Sequence, residues 1–248
     1  MAATAILFAV AVWAGIQNAL AGGGSFVTLP ALILSGLDAR AANIASTLAL
    51  FPGQTTSGWV GRRMVGGAAG LSFRALAAIS LVGGCIGAVL LLVTPSSFFA
   101  HLVPWLVLLA TGLFAWGAFF RKGGEAGGGL GPGAAGTLQF LIAIYGGYFG
   151  GGVSILMLAA LTAAGVTVRA AGATKNVLAA VINAGAVGIF LFTPAIPWTR
   201  VGVVAVGAIA GGLIGANLLK RVDERLIRGF VIILGLALTV GLFLRARS

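Results

Sequence analysis

GGGSFVTLPALILSGLDARAANIASTLALFPGQ, residues 22–54, has a counterpart later in the chain: GGGVSILMLAALTAAGVTVRAAGATKNVLAAVIN, residues 150–183. A shift of 129 residues places Gly36 on Gly165, Arg40 on Arg169 and Gln54 on Asn183. Each copy runs from a glycine triplet through a short apolar helix and a Gly turn. An Arg-Ala-Ala start and a longer helix with embedded polar residues follow. A duplicated hydrophobic unit broken by glycine implies a secondary transporter with its site between the repeats.

The rest of the composition agrees. Of 248 residues, 60% are hydrophobic and only 8% charged, and mean hydropathy is +1.13. Soluble domains carry about 25% charged residues, so this surface is built for lipid. Apolar runs near the ~20 residues needed to cross a bilayer are expected at 41–60, 74–93, 101–120, 170–192, 201–219 and 226–244. The net charge of +11 sits mostly in short connections: Arg62, Arg63, Arg74, Arg121, Lys122, Lys220, Arg221, Arg225 and Arg228. That is a topology signal. No basic stripe with interleaved aromatics accompanies it, which argues against a nucleic-acid partner. The single cysteine, Cys85, has no partner for an internal disulfide. The N-terminus lacks a basic n-region and reads as part of the protein.

Residues 122–136, KGGEAGGGLGPGAAG, form a Gly-rich linker that divides the chain into a first membrane repeat, 1–121, and a second, 137–248. GGCIGAVL at 83–90 matches GGLIGANL at 211–218. Their small residues predict close helix–helix approach in lipid. The pieces 137–149 and 153–165 each reach only about 20 Å, short of the ~30 Å hydrocarbon core. A re-entrant hairpin with GGG at its tip fits them, and 5–21 with 25–36 can do the same. Three crossings plus a hairpin per half invert the second repeat, and this places more basic residues on one side than four crossings would. The expected fold is therefore an all-α polytopic membrane protein of two homologous, inverted repeats. It has about eight membrane segments with glycine-broken or re-entrant helices.

Polar groups at membrane depth are costly and face a cavity or a partner. In the second copy these are Lys175, Asn176 and Asn183, the two asparagines seven apart on one helical face. In the first copy the matching residues are Ser46, Thr47 and Gln54, joined by Asn43 and Thr55. Pro52 and Gly53 are expected to interrupt that helix. The glycine runs, Gly23–Gly24 and Gly151–Gly152, end where helices begin at Ser25 and Ser154. Helix N-termini present unpaired N–H groups and a partial positive charge. Together with Lys175 they form a candidate site for a small anion. No cluster of carboxylates, His or thiolates suggests a metal, and nothing calls for a cofactor. Trp59, Trp105 and Trp198 read as interfacial anchors. His101, placed at a helix start, is not expected to act on Ser25 or Ser154, so an intramembrane serine hydrolase is a weak rival and no catalytic residue is assigned. A non-transporting membrane assembly is the other alternative. Association of copies in the bilayer is left open.

The segments GGGSFVTLPALILSG…AANIASTLALFPG and YGGYFGGGVSILMLAALTAAG…ATKNVLAAVIN resemble the sulfite exporter TauE/SafE family of bacterial membrane permeases, and the resemblance covers nearly the whole chain. It implies about eight transmembrane segments in two halves, location in the bacterial inner membrane, and transport, often export, of sulfite, sulfonates or small organic anions. The family pattern carries over at Gly22, Gly23, Gly24, Pro30, Pro52, Gly150, Gly151, Gly152, Lys175 and Asn176. This chain departs from it at Asn43-Ile-Ala-Ser46-Thr47, where Asn-Ala-Thr-Asn is commoner, and has no second-copy proline matching Pro30.

Overall fold

The computed structural model describes residues 2–20, 23–115, 130–194 and 196–218, with residues 229, 232, 233, 236, 237, 239–241 and 243 beyond them. Among the described residues the regular structure is helical, with one isolated bridge between Ala68 and Leu71. The helices are α1 (Ala2–Leu20), α2 (Ser25–Leu34), α3 (Ala39–Gly61), α4 (Phe73–Val93), α5 (Ser96–Ala115), α6 (Pro132–Tyr148), α7 (Val153–Ala163), α8 (Val168–Phe190) and α9 (Trp198–Leu218). A 3-10 turn, Arg62–Met64, follows α3. Among the described residues three helical segments are long and apolar enough to cross a membrane: Phe73–Val93, Arg169–Phe190 and Trp198–Gly215.

Glycine sets the breaks. Gly23 (φ 78°), Gly150 (φ 78°) and Gly152 (φ 75°) take left-handed conformations where α1 gives way to α2 and α6 to α7; side chains with a Cβ rarely adopt these. Gly36 (φ 95°) and Gly165 (φ 84°) then close α2 and α7. The next helix starts at Asp38, whose side chain caps α3 by accepting from Arg40 N and Ala41 N, and at Thr167, which precedes α8.

Contacts between helix ends fix their directions. Call the end where α3 begins the first face and the other the second face. Arg40 Nη1 donates to Leu92 O (2.9 Å) and Thr94 O (3.1 Å), so α4 finishes at the first face. Gly66 N, just after α3, donates to Thr174 Oγ1 (3.2 Å), so α8 starts at the second. The helices α3 and α8 therefore pack antiparallel: Gln54 meets Asn183, and Gly58 lies against Asn176, Val177 and Ala180. Leu130 and Ala135 at the start of α6 share a cleft with Ala160, Leu161 and Ala164 at the end of α7. That makes α6–α7 a hairpin that enters from and returns to the second face. Arg200 Nη2, at the start of α9, donates to Ser35 O at the end of α2 (2.9 Å). Because α1 runs parallel to α9, the α1–α2 hairpin opens at the first face.

The glycine patterns make two parallel crossings. A Cβ on Gly87 would collide with Ile144 O, and one on Gly147 with Gly84 O, so α4 and α6 touch backbone to backbone. Likewise Gly211 admits Val12 O, and Gly15 admits Ala208 O, between α9 and α1. Small residues permit this approach. It has a topological result that periodicity did not reveal. The core of Leu76, Ile142, Ala143, Val153, Met157, Leu161 and Leu178 is built by α4 together with α6, α7 and α8. Correspondingly, α9 from the second half packs on α1 and α3. Each half lends its fourth helix to the other.

Three expectations are corrected. The helix of 137–149 begins earlier, at Pro132, where Pro occupies the first turn behind Gly131; its missing N–H costs nothing there. The span expected at 101–120 begins earlier, at Ser96, with residues 116–120 outside the described ones, so His101 lies in the second turn, with Nδ1 2.7 Å from Ser97 O. Pro52 and Gly53 do not interrupt α3, which continues through them; the hydroxyls of Thr55 and Thr56 donate to Pro52 O (2.8 and 2.9 Å). The expected span 226–244 lies mostly outside the described residues. Trp59, Trp105 and Trp198 are all exposed, as interfacial anchors require. The Arg62 guanidinium sits 4.0 Å from the Trp59 ring centroid.

Candidate functional site

The polar residues of α3 and α8 fall at the seam where these two helices cross. Asn183 Nδ2 donates to Gln54 Oε1 at 2.6 Å. These are the residues the 129-residue shift superposes, so the repeat positions meet across the seam. Asn183 is 3% exposed, and an unpaired amide there would be costly.

One turn in from its capped start, α3 carries Asn43, which is buried and donates from Nδ2 to Tyr148 O (3.0 Å) at the end of α6. Ser46, 1% exposed, pairs with Thr28 of α2, hydroxyl to hydroxyl at 2.6 Å. Thr28 also reaches back to Gly24 O (3.3 Å). Thr47 and Asn176 are half-buried.

Lys175, at the position equivalent to Ser46, is different in kind. It is partly buried on α8, and its ammonium makes no hydrogen bond or ion pair among the described residues. The only acidic residue among the described ones is Asp38, which is engaged at the first face. There it caps α3 and accepts from Ser96 Oγ. Burial pushes the Asp38 carboxyl up, but the bonds from Ser96, Ala41 and Arg40, with the Arg40 charge, outweigh it and hold the group below its ordinary value.

The glycine turns approach one another. A Cβ on Gly152 would stand 3.6 Å from Phe26 Cζ of α2 and 2.8 Å from Ala110 Cβ of α5. Ser25 opens α2 and Ser154 is the second residue of α7, so both N-termini start from this junction. Gly24 N is already used, donating to Asn18 Oδ1 (3.2 Å). Among the described residues no group of three or more His, Cys, Asp or Glu is placed to hold a metal.

The sequence profile described as "Sulfite exporter TauE/SafE" matches residues 7–242. The chain belongs to the TauE/SafE sulfite exporter family. Related proteins of this kind carry transporter names. A "Probable membrane transporter protein ORF9" of Sinorhizobium sp is 30% identical over 96% of this chain and 91% of its own length. A "Probable membrane transporter protein" of Haemophilus influenzae is 28% identical, covering 95% and 92%. The "Probable membrane transporter protein YfcA" of Escherichia coli K12 is 28% identical, covering 96% and 88%. This TauE/SafE chain is accordingly a membrane transporter and not an enzyme.

Several residues around the glycine turns were not singled out from the sequence: Gln17, Asn18, Thr28, Tyr145 and Tyr148. The signal was present for two of them. The glycine triplets are offset by 128 residues rather than 129, and at that offset Gln17 aligns with Tyr145. Tyr145 Oη donates to Gly151 O (2.7 Å), and Gln17 Nε2 donates to Gly23 O (3.3 Å). Gly23 and Gly151 are themselves 128 apart, so one clasp closes each glycine turn.

Proposed function

We propose that this transporter moves a small anion, of the class of sulfite, an organosulfonate or a small carboxylate, out of the cell across the bacterial inner membrane. The observation that carries the reading is Lys175, a partly buried cation within α8 with no carboxylate beside it among the described residues. A lone ammonium in low dielectric is costly unless an anion joins it. The start of α7 adds N–H groups and a partial positive charge of the same preference. Asn176 and the Gln54–Asn183 pair supply neutral hydrogen-bonding groups near the same seam, with Thr47, Ser25, Ser154 and the tips Gly23, Gly24, Gly151 and Gly152 as further contacts.

The two hairpins open at opposite faces and α3 runs against α8, which supports inverted repeats and alternating access. The moving bodies in this reading are not the sequence halves. One comprises α1, α2, α3 and α9, the other α4, α6, α7 and α8, and the seam between them is the α3–α8 contact. Arg62, Arg63, Arg74 and Arg169 gather at the second face against Arg40 and Arg200 at the first, so the second face is assigned to the cytoplasm. Lipid and the small anion are the partners this requires; no cofactor and no nucleic acid enter.

The test is flux in proteoliposomes loaded with sulfite, a short alkyl sulfonate or a small carboxylate. Export of at least one, abolished by Lys175→Met in protein that still inserts and folds, is the expected result. Full activity in Lys175→Met, or flux of none of these anions, overturns it.

A further inference from the structure

One side of α3 changes character along its length. At Leu48 that side is covered by protein. From Pro52 on it is open: Pro52, Thr55, Thr56, Trp59, Arg62 and Arg63 are all exposed. Their spacings of three and four residues place them on one helical face. The stripe from Pro52 to Arg63 is about 16 Å long, close to half of the ~30 Å hydrocarbon core. Its hydroxyls are turned inward, since Thr55 and Thr56 donate to Pro52 O. Read toward the second face, the stripe is apolar, then aromatic, then doubly cationic. A phospholipid laid along it presents the same order as acyl chain, interface and headgroup.

The cationic end is pre-organised. The Arg62 guanidinium lies 4.0 Å from the Trp59 ring centroid, and its Nη1 donates to Trp59 O at 2.9 Å. Those two contacts hold the guanidinium plane, and its other N–H groups have no partner among the described residues. Arg63 makes no hydrogen bond or ion pair among them. At the first face, by contrast, Arg40 and Arg200 are spent on the carbonyls of Leu92, Thr94 and Ser35. The only acidic residue among the described ones, Asp38, is at that first face too. The stripe therefore ends in two guanidiniums with no anion of their own, a geometry that suits phosphate oxygens.

The second repeat serves as an internal control. The shift of 129 residues lays Thr55, Trp59, Arg62 and Arg63 on Ala184, Gly188, Leu191 and Phe192, and these are likewise exposed. Exposure of this side is common to both copies. The aromatic residue and the cations belong to the first copy alone.

We propose that the outer stripe of α3 binds an anionic phospholipid, with its phosphodiester on Arg62 and Arg63, its glycerol level at Trp59 and an acyl chain along Thr55 and Pro52. A second copy of this chain is the poorer occupant. Copies inserted in the same sense pair about a twofold axis normal to the membrane, and this would set the arginines of one against those of the other. The site does not depend on what the transporter carries.

The experiment is native mass spectrometry of the purified full chain released from bilayer discs of equal phosphatidylglycerol and phosphatidylcholine. Thermal unfolding in detergent with either lipid, or with glycerol 3-phosphate, accompanies it. The unmodified chain should retain phosphatidylglycerol in preference. That lipid should also raise the unfolding midpoint by a few degrees, saturably, whereas phosphatidylcholine and glycerol 3-phosphate should not. Arg62→Gln and Arg63→Gln should each lower the retained ratio about fivefold, and together they should abolish the stabilisation. Should the double variant fail to fold, the single variants decide. Arg74→Gln alters an exposed arginine on α4, a helix that packs on α6 and α8, and should change neither readout. No preference for phosphatidylglycerol in the unmodified chain, or a preference kept in the Gln variants, overturns the site. A preference lost equally in Arg74→Gln overturns it in favour of diffuse surface charge. Equal stabilisation by glycerol 3-phosphate overturns it in favour of a soluble anion. A dimer mass that Trp59→Leu dissociates overturns it in favour of a second copy.

Discussion

The two hairpin-and-helix units share their order of elements yet differ in how their polar interior is closed. In the first, Thr28 and Ser46 satisfy each other at 2.6 Å. In the second, the equivalent positions hold Met157, which is fully buried, and Lys175, which has no partner among the described residues. One unit is neutral and self-sufficient; the other is charged and incomplete. Interhelical hydrogen bonds in membranes contribute modestly, about 0.6 kcal/mol on average. An uncompensated ammonium costs several kcal/mol. The asymmetry is thus much larger than a packing difference, and it is what the proposed anion site in the second unit rests on.

The comparison breaks first if the shared frame is lost. Gly87→Val and Gly211→Val force a side chain into the backbones of α6 and α1, and no rotamer change relieves backbone contact. Both should abolish recovery of monodisperse protein, whereas Gly112→Ala and Gly188→Ala, where an added Cβ meets nothing within 4 Å, should leave it intact. Size-exclusion profiles decide this. Equal tolerance at all four would dismiss the crossings.

Next in size is the exchange of the residue that distinguishes the units. Lys175→Ser gives the second unit the first unit's side chain. It should lower anion affinity by about 100-fold or more, the scale of removing a desolvated charge contact, with no loss of thermal stability. Flux assays and melting curves read the two separately. A variant that melts earlier but still transports would return Lys175 to a structural role.

A smaller effect is expected at the seam. Gln54→Leu and Asn183→Leu each strand one amide, and the double substitution removes both. A double-mutant cycle should give a coupling of about 0.6–1.7 kcal/mol, the range seen for such bonds in membranes. Strict additivity would mean that the pair does not hold the two bodies together.

The smallest effect belongs to Asp38. Its carboxyl is held below its ordinary value when folded, so its contribution is full above the unfolded value of about 3.9. It fades as pH falls through the folded one. Asp38→Asn keeps a helix cap and should flatten the acid limb of the stability profile while leaving neutral stability nearly unchanged. An acid limb of the same shape in Asp38→Asn would remove this residue from the account.

Much of this frame was legible because glycine and polar residues are rare enough in an apolar chain to mark their positions. The triplets at 22–24 and 150–152 located both hairpins, and the shift of 129 brought Gln54 onto Asn183 before any contact was known. The start of α6 was missed although Pro132 carried the signal, since a glycine-rich flank reads as linker until the helix behind it is counted. Pro52 was read as a break because the hydroxyls that accommodate it, Thr55 and Thr56, act only within a formed helix. Gln17 and Tyr145 were missed for a geometric reason: one extra residue between the triplet and the Gly turn of the second copy changes the offset, and a single alignment hides the match. Pairing of α1 with α9 and of α4 with α6 had no local signature. The small-residue motifs announced close approach but not the partner.

That exchange of helices puts the molecule on a schedule. The side of α1 that carries Gly15 is complete once Leu20 is made, but its partner begins only at Trp198. At about 5–20 residues per second, the intervening stretch of roughly 180 residues takes on the order of 10–35 s. Through that interval α1 stands in lipid, or against the insertion machinery, with a notched and unoccupied flank. Helix α1 is thus seated long after it is made. A chain stopped anywhere before α9 leaves the membrane holding a fragment in which α1 lacks its main packing partner.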